Sequence, residues 1–201
     1  CGICNGDGTW CLSANISIGV VTEMVVEILY DSPLKIGGFQ FSVSGVDIIN
    51  ASGGDAEEAG FYIATNNNIV LGFSLEGNFI NPGNGTLTNL FITISSDQIC
   101  ISDVVLSDDD GDEINTDIGE CENLPCIDFD NDNLCNYEDI CINDSDNDID
   151  DDGICGDVDI CPNDSDNDID GDNICGDIDE CPNDPNNDID GDNICGDVDI
   201  C

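Results

Sequence analysis

Aspartate recurs at alternate positions four times in the C-terminal half of this chain, each time within the pattern D-x-D-x-D-[GN]-[IL]-C-[GN]-x-x-D, over residues 128–139, 148–159, 168–179 and 188–199. Hard carboxylate oxygens at this spacing suit Ca²⁺, which is held by oxygen ligands in twelve-residue loops of the EF-hand type. Such a loop draws on positions 1, 3, 5 and 12 through side chains and on position 7 through its backbone carbonyl. The candidate ligands are therefore Asp128, Asp130, Asp132, Leu134 and Asp139 in the first loop, and Asp148, Asp150, Asp152, Ile154 and Asp159 in the second. The third offers Asp168, Asp170, Asp172, Ile174 and Asp179, and the fourth Asp188, Asp190, Asp192, Ile194 and Asp199. Position 6 must turn with positive φ. Gly153 supplies that turn in the second loop, and Asn133, Asn173 and Asn193, the next most tolerant type, supply it elsewhere. Position 9 is Gly or Asn, which leaves that place in the shell to a water.

An acidic run is usually a solvated tail. A tail needs neither cysteine at fixed phase nor an apolar residue in every loop, and here Leu134, Ile154, Ile174 and Ile194 recur with the cysteines. The copies repeat every 20 residues, with Cys155, Cys175 and Cys195 in one phase and Cys141, Cys161, Cys181 and Cys201 in another. Ten of the 46 acidic residues precede Asp103 and the other 36 follow it or occupy it. Two carboxylates about 5 Å apart repel by roughly 0.8 kcal/mol even in water. The few apolar residues of this half cannot offset that sum, so the region needs cations in order to fold. Further carboxylates lie in the spacers (Asp144, Asp146, Asp164, Asp166, Asp184) and inside the loops (Asp157, Asp177, Asp197), which leaves one or two ions per repeat open.

These loops follow two other zones. Residues 1–11, CGICNGDGTWC, read as a short Cys/Gly knot, residues 12–120 as a β-domain, and residues 121–201 as the repeat region. Within 12–120, apolar and polar residues alternate over 15–22, 24–30, 37–43, 60–64, 68–75, 86–94, 99–106 and 113–118, broken by Gly, Asn and Pro. Phe39, Phe41 and Val43 fall on one face of a strand, with Gln40, Ser42 and Ser44 on the other. The run Leu87, Leu90, Phe91, Ile92, Ile94 marks a more deeply buried strand. The expected fold class is an all-β antiparallel sandwich of about eight strands, immunoglobulin- or jelly-roll-like, followed by an irregular region stabilised by disulfides and Ca²⁺.

Composition excludes several functions. Lys35 is the only basic residue, and His is absent. Phosphate binding needs clustered Lys and Arg, so nucleic acid and anionic membrane surfaces are excluded as partners. No apolar run reaches the roughly 18 residues of a membrane span. The 14 cysteines of so small a chain point to an oxidising, extracellular or cell-surface setting. Five N-x-S/T sequons, at Asn15, Asn50, Asn84, Asn143 and Asn163, fit a secreted glycoprotein, although an Asn-rich sequence also generates sequons by chance. The start at Cys1 and the stop at Cys201 in mid-repeat lead us to expect a processed protein or a segment of a longer one. Cys1 also fits a lipidated terminus, but Cys1-Gly2-Ile3-Cys4 reads better as part of a disulfide knot.

The repeat region resembles thrombospondin type 3 repeats, on Cys161-Pro162-Asn163 with Asp168, Asp170, Asp172 and Cys175, and on Cys181-Pro182-Asn183 with Asp188, Asp190, Asp192 and Cys195. That resemblance implies a Ca²⁺-wrapped wire, a core of ions and disulfides with almost no regular secondary structure. The Ile-rich spacers and the short, regular period depart from the family pattern. The loop also looks like a dockerin repeat, but dockerin loops sit on helices and these spacers are too short for one. The β-domain is similar to cohesin-like and carbohydrate-binding-like secreted sandwiches through Gly37-Gly38-Phe39-Gln40-Phe41 and Leu71-Gly72-Phe73-Ser74.

Cysteine spacing leaves the pairing open. Cysteines six apart (Cys135 with Cys141, Cys155 with Cys161, Cys175 with Cys181, Cys195 with Cys201) or fourteen apart (Cys141 with Cys155 and onward) both fit, and Cys100 with Cys121 would staple the sandwich. The leading expectation is a structural, self-associating protein, the protomer or repeat unit of an extracellular filament, stalk or adhesin involved in cell adhesion. Donation of the strand at 15–22 to a neighbour is one conceivable mode. The other is a binding module for a glycan or partner domain, with Trp10, Tyr30 and Tyr62 as stacking candidates. Glycoside hydrolysis by Glu27, Glu57, Glu58 or Glu76 has no visible paired site, and no enzyme is expected.

Overall fold

The computed structural model describes residues 12–187 and 194–195. Residues 1–11, with Trp10, and most of the fourth loop, with Asp188, Asp190, Asp192, Asn193 and Asp199, lie outside the described residues. Contacts divide the chain into two compact units, 1–126 and 127–201.

The first unit is a sandwich of two sheets. Its elements are β1 (Ala14–Val21), β2 (Val25–Ser32), β3 (Gly38–Ser44), β4 (Val46–Ser52), α1 (Gly54–Glu58), β5 (Tyr62–Asn66), β6 (Ile69–Phe73), β7 (Gly83–Ile94), β8 (Gln98–Ser107), β9 (Glu113–Ile114), β10 (Thr116–Ile118) and β11 (Glu122–Asn123). One sheet runs β10-β1-β2-β7-β4; the other runs β11-β8-β3-β6-β5, with β9 also paired to β8. Every pairing is antiparallel except β1 with β10, which is parallel.

Alternation places the core. Ile16, Val26, Ile28, Leu90 and Val46 from one sheet meet Phe39, Phe41, Val70, Ile99 and Leu106 from the other, all but sealed from solvent. Phe41 is fully buried, a burial contributing about 3 kcal/mol. The Phe39 ring stacks on Phe41 at 6.0 Å and on Phe61 at 6.1 Å. Phe39 also lies on Gly72, its register partner in β6. A Cβ there would stand 2.1 Å from the ring, so only glycine fits. The disulfide Cys100–Cys121 staples β8 to the segment leading into β11.

Beside the short α1 and β11, which the alternation does not mark, two elements differ from the sequence expectation. β4 escaped the alternation because its register shifts between Ile48 and Asn50, which throws Ile49 outward to 68% exposure. The eighth expected run, 113–118, splits into β9 on one sheet and β10 on the other. β1, the strand expected to be donated, lies between β10 and β2 in its own sheet, its pairing with β10 covering Ala14–Ile16.

The single basic side chain is committed. Lys35 Nζ sits 2.7 Å from Asp109 Oδ2, whose carboxyl it holds below the usual range, and 3.9 Å from the centre of the Phe79 ring. The next residue, Ile36, is fully buried and bridges Ile80.

The second unit carries no helix or strand among its described residues; it is a succession of turns. Its buried residues are Cys141, Cys161, Cys181, Asp139 and Asp184. Cys141 pairs with Cys155, Cys161 with Cys175, and Cys181 with Cys195, each 14 residues apart. The six-residue pairing is thereby overturned. Each cystine ties the residue two beyond one loop's closing aspartate to position 8 of the next loop.

Candidate metal centres

The three described loops repeat one geometry. In each, oxygens of the aspartates at positions 1, 3 and 5 lie within 4.8 Å of one another: Asp128, Asp130 and Asp132; Asp148, Asp150 and Asp152; Asp168, Asp170 and Asp172. Backbone conformation makes this convergence possible. Position 6 takes positive φ in all three (Asn133 76°, Gly153 93°, Asn173 73°), as does position 4 (Asn131 64°, Asp151 62°, Gly171 82°). The turn at position 4 was not read from the sequence, because Asn, Asp and Gly share it without one residue type to mark it.

The aspartates differ in what they bind. At position 1 both oxygens accept backbone N–H groups: Asp148 takes those of Asp152 (3.1 Å) and Gly153 (2.8 Å), and Asp168 those of Gly171, Asp172 and Asn173. The N–H of Asn173, first among these donors, holds the Asp168 carboxyl below the usual carboxylate range. At position 5 one oxygen accepts the N–H of position 7 (Leu134 2.7 Å, Ile154 2.7 Å, Ile174 2.8 Å). That bond and the Asn147 amide hold Asp132 low.

Positions 3 and 12 are different. Asp139, Asp159 and Asp179 each use Oδ1 to accept the N–H of the cysteine two residues on, at 2.7–2.8 Å. Their Oδ2 atoms are buried with no hydrogen-bond partner, and the same holds for Oδ2 of Asp130 and Asp170 and for both oxygens of Asp150. Burial, with the neighbouring carboxylates adding to it, pushes the Asp130, Asp150 and Asp170 carboxyls up. A buried carboxylate oxygen without a donor is costly unless a cation meets it. All seven such atoms belong to residues expected as ligands, so the donor set fits a hard divalent cation such as Ca²⁺.

Two of the spacer carboxylates, Asp144 and Asp164, accept backbone N–H groups. Asp144 Oδ1 accepts the Asp146 N–H (3.1 Å) and Oδ2 the Asp157 N–H (2.8 Å), and Asp164 does the same with Asp166 and Asp177. They bracket the turn between loops. Gly156, at position 9, donates to the Asn147 carbonyl at 2.9 Å, and a Cβ on it would stand 3.2 Å from that oxygen. The first loop makes the same bond from the Asn136 N–H to the Ile127 carbonyl at 2.7 Å, so position 9 also accepts a side chain.

In the sandwich, Tyr30 is buried and its hydroxyl donates to Asp55 Oδ2 at 2.6 Å, so it is a core residue and not a stacking platform. Burial foremost and the Asp55 carboxylate next push its phenol up. Tyr62 is 61% exposed on β5, edge-on to Phe73 at 5.7 Å. Glu57 caps the start of α1 by accepting the Gly53 N–H, and Glu27 accepts that of Val20. Asn50, Asn84, Asn143 and Asn163 are exposed; Asn15 is half-buried on β1, opposite Asp31, itself opposite Asn84.

No protein-family model and no curated protein sequence matches the chain. Solved structures similar to it include a non-cellulosomal cohesin from the archaeon Archaeoglobus fulgidus (14% identity, 56% of this chain and 91% of that one, TM-score 0.44). A type I cohesin–dockerin complex from Clostridium thermocellum (10%, 56% and 92%, TM-score 0.43) and a type II cohesin domain from the cellulosome of Acetivibrio cellulolyticus (12%, 56% and 95%, TM-score 0.41) are also similar. At TM-scores of 0.41–0.44 these likenesses carry no conclusion about what the chain does.

Proposed function

We propose that the chain is a Ca²⁺-stabilised extracellular structural protein, a protomer or repeat unit of a secreted filament, stalk or adhesin, and not an enzyme. Residues 12–120 serve as the packing module and 121–201 as thrombospondin type 3-like connector repeats, with 1–11 a knot before them. In this reading the aspartates at positions 1, 3, 5 and 12 of each loop, with the carbonyls of Leu134, Ile154, Ile174 and Ile194, hold at least one Ca²⁺ per repeat. The observation that carries it is the set of unpartnered, buried carboxylate oxygens at positions 3 and 12 of the three described loops. Titration with Ca²⁺ and then EGTA, followed by small-angle scattering, tests it. Compaction with Ca²⁺ and expansion with chelator are expected, and an unchanged radius of gyration would end the reading. Light scattering at high protein concentration in millimolar Ca²⁺ tests assembly separately, and a persistent monomer removes that part.

A binding role for the sandwich is the second reading, favoured by the outer face of the β11-β8-β3-β6-β5 sheet. Register places Tyr62 beside Phe73, and Leu71 between Ala64 and Gln40, with Val105 beyond; Ile69 follows in the next row. Tyr62, Ile69, Leu71 and Val105 are 39–61% exposed, and across β5, β6, β3 and β8 these rows hold no charged residue, the first of them ending at Glu113 on β9, in a chain of net charge −45. Such a face suits an uncharged partner, protein or sugar. A glycan array probed with Ca²⁺-loaded protein and with Tyr62→Ala separates the two: signal lost in the variant supports a sugar, and no signal leaves a protein partner.

A further inference from the structure

One asparagine stands before each of three loops, and at two of these junctions, Asn147 and Asn167, it is seen to touch both neighbouring loops. Asn147, Asn167 and Asn187 each directly precede position 1 of a loop, and each donates its side-chain amide to the position 5 aspartate of the loop before: Asn147 to Asp132 Oδ2, Asn167 to Asp152 Oδ2 and Asn187 to Asp172 Oδ2. A carboxylate only accepts, so the amide nitrogen must face it. The same residues reach forward through the backbone. The Asn147 carbonyl accepts the Gly156 N–H and the Asn167 carbonyl the Gly176 N–H, both at 2.9 Å, inside the following loop. All three hold positive φ (58°, 57° and 53°), so the chain enters position 1 of the next loop from a left-handed turn. Across the same junctions run the cystines Cys141–Cys155, Cys161–Cys175 and Cys181–Cys195, which cross-link each pair of loops but place no group on a carboxylate.

The position 5 aspartate that receives the amide belongs to the carboxylate cluster, whose unpartnered buried oxygens lie at positions 3 and 12. An ion seated in one loop fixes that carboxylate. The carboxylate fixes the asparagine, and the asparagine sets both the first ligand of the next loop and the glycine at its position 9. Coupling of this kind is reciprocal, so an ion in the later loop equally favours the earlier one.

We propose that Asn147, Asn167 and Asn187 are positioning residues that couple neighbouring loops, so that the repeats fill with Ca²⁺ cooperatively along the chain. This rests on the Ca²⁺ reading above. Position 5 is thus shared between an ion and the next repeat. The ordering entropy of a loop is met in part when its neighbour fills.

The full chain, disulfides intact, is titrated with Ca²⁺ by calorimetry, with hydrogen exchange of the loop amides as a second readout. Asn167→Gly keeps the left-handed backbone and removes only the amide; Asn167→Asp keeps the shape and sets a carboxylate against Asp152. The wild-type isotherm is expected to be steep, with a Hill coefficient clearly above 1. Asn167→Gly is expected to lower that coefficient and to weaken the flanking loops by about tenfold. Asn167→Asp is expected to weaken them further, while the Ca²⁺-saturated protein keeps its wild-type radius. Asn163→Gly, at an exposed position in the preceding turn, should leave the isotherm unchanged. A wild-type isotherm with a Hill coefficient of 1, or an Asn167→Gly isotherm as steep as the wild type, overturns the coupling and leaves the Ca²⁺ reading standing. A wild type that binds no Ca²⁺ overturns both.

Discussion

The sandwich and the repeat region solve the same problem with opposite materials. Between them the two sheets bury Ile, Leu, Val and Phe, and the hydrophobic effect compensates the ordering of the chain. The described repeats bury cystines and aspartates, while most of their aliphatic residues stand in water, Ile140 at 91% and Ile160 at 86% exposed. On the Ca²⁺ reading proposed above, the difference teaches that charge compensation can keep a fold where apolar area is scarce, and it makes the repeat region conditional on its solvent in a way the sandwich is not.

Chelation should break the comparison most sharply. With EGTA the repeat region is expected to lose its shape altogether, seen as rapid cleavage after Phe129, Leu134 and Tyr137 by chymotrypsin, a serine protease that works without Ca²⁺, while the sandwich keeps its cooperative thermal transition. Loss of both together would mean that the sandwich also depends on the ion. The converse variant is Phe41→Ala, which should destabilise the sandwich by about 3–5 kcal/mol and lower its melting temperature in calorimetry while leaving Ca²⁺ uptake intact.

Removal of the cystine Cys161–Cys175 by the double alanine variant should cost the repeat region about 3 kcal/mol, in line with a loop of 14 residues, read as a lower chelator concentration for unfolding. Asp150→Asn, which withdraws charge where both carboxylate oxygens lack partners, should weaken Ca²⁺ binding in its loop by roughly tenfold or more with no effect on the sandwich melt.

The smallest effect is that of pH, and its sign sharpens the contrast. Asp130, Asp150 and Asp170 titrate above the ordinary 3.8 in the metal-free fold, so their contribution is full below that value and is lost as pH rises through the raised ones. Asp132 and Asp168 are held low and act in the opposite sense, below 3.8. Metal-free repeats should therefore gain some compactness on acidification towards pH 4. Ca²⁺-loaded repeats should lose affinity over the same interval, as protons compete for the ligands. Scattering profiles recorded from pH 7 to 4, with and without Ca²⁺, should diverge accordingly.

Much of this contrast is legible in the residues. The loops announce themselves because a cation dictates ligand spacing, and four copies in phase leave the spacing little freedom. Strands such as β3 show because one face must be buried. What stays hidden has a physical reason. The bulge in β4 puts Ile48 and Ile49 side by side and erases the period. The choice between six- and fourteen-residue cystines depends on how the chain turns, since either spacing closes a loop. The asparagine that touches two loops pairs with an aspartate 15 residues upstream, a relation no local pattern states, although its fixed place just before each position 1 was a signal to be had.

The buried bridge at Ile36 has a practical consequence. Trypsin cuts after Lys or Arg, and this chain offers it one peptide bond, Lys35–Ile36. The residue beyond that bond is wholly shielded, and its N–H is bonded to the Ile80 carbonyl at 3.0 Å. A protease of that specificity therefore finds nothing to cut until the sandwich opens, whatever state the repeats are in. The rate of that single cleavage is a private gauge of one half of the molecule.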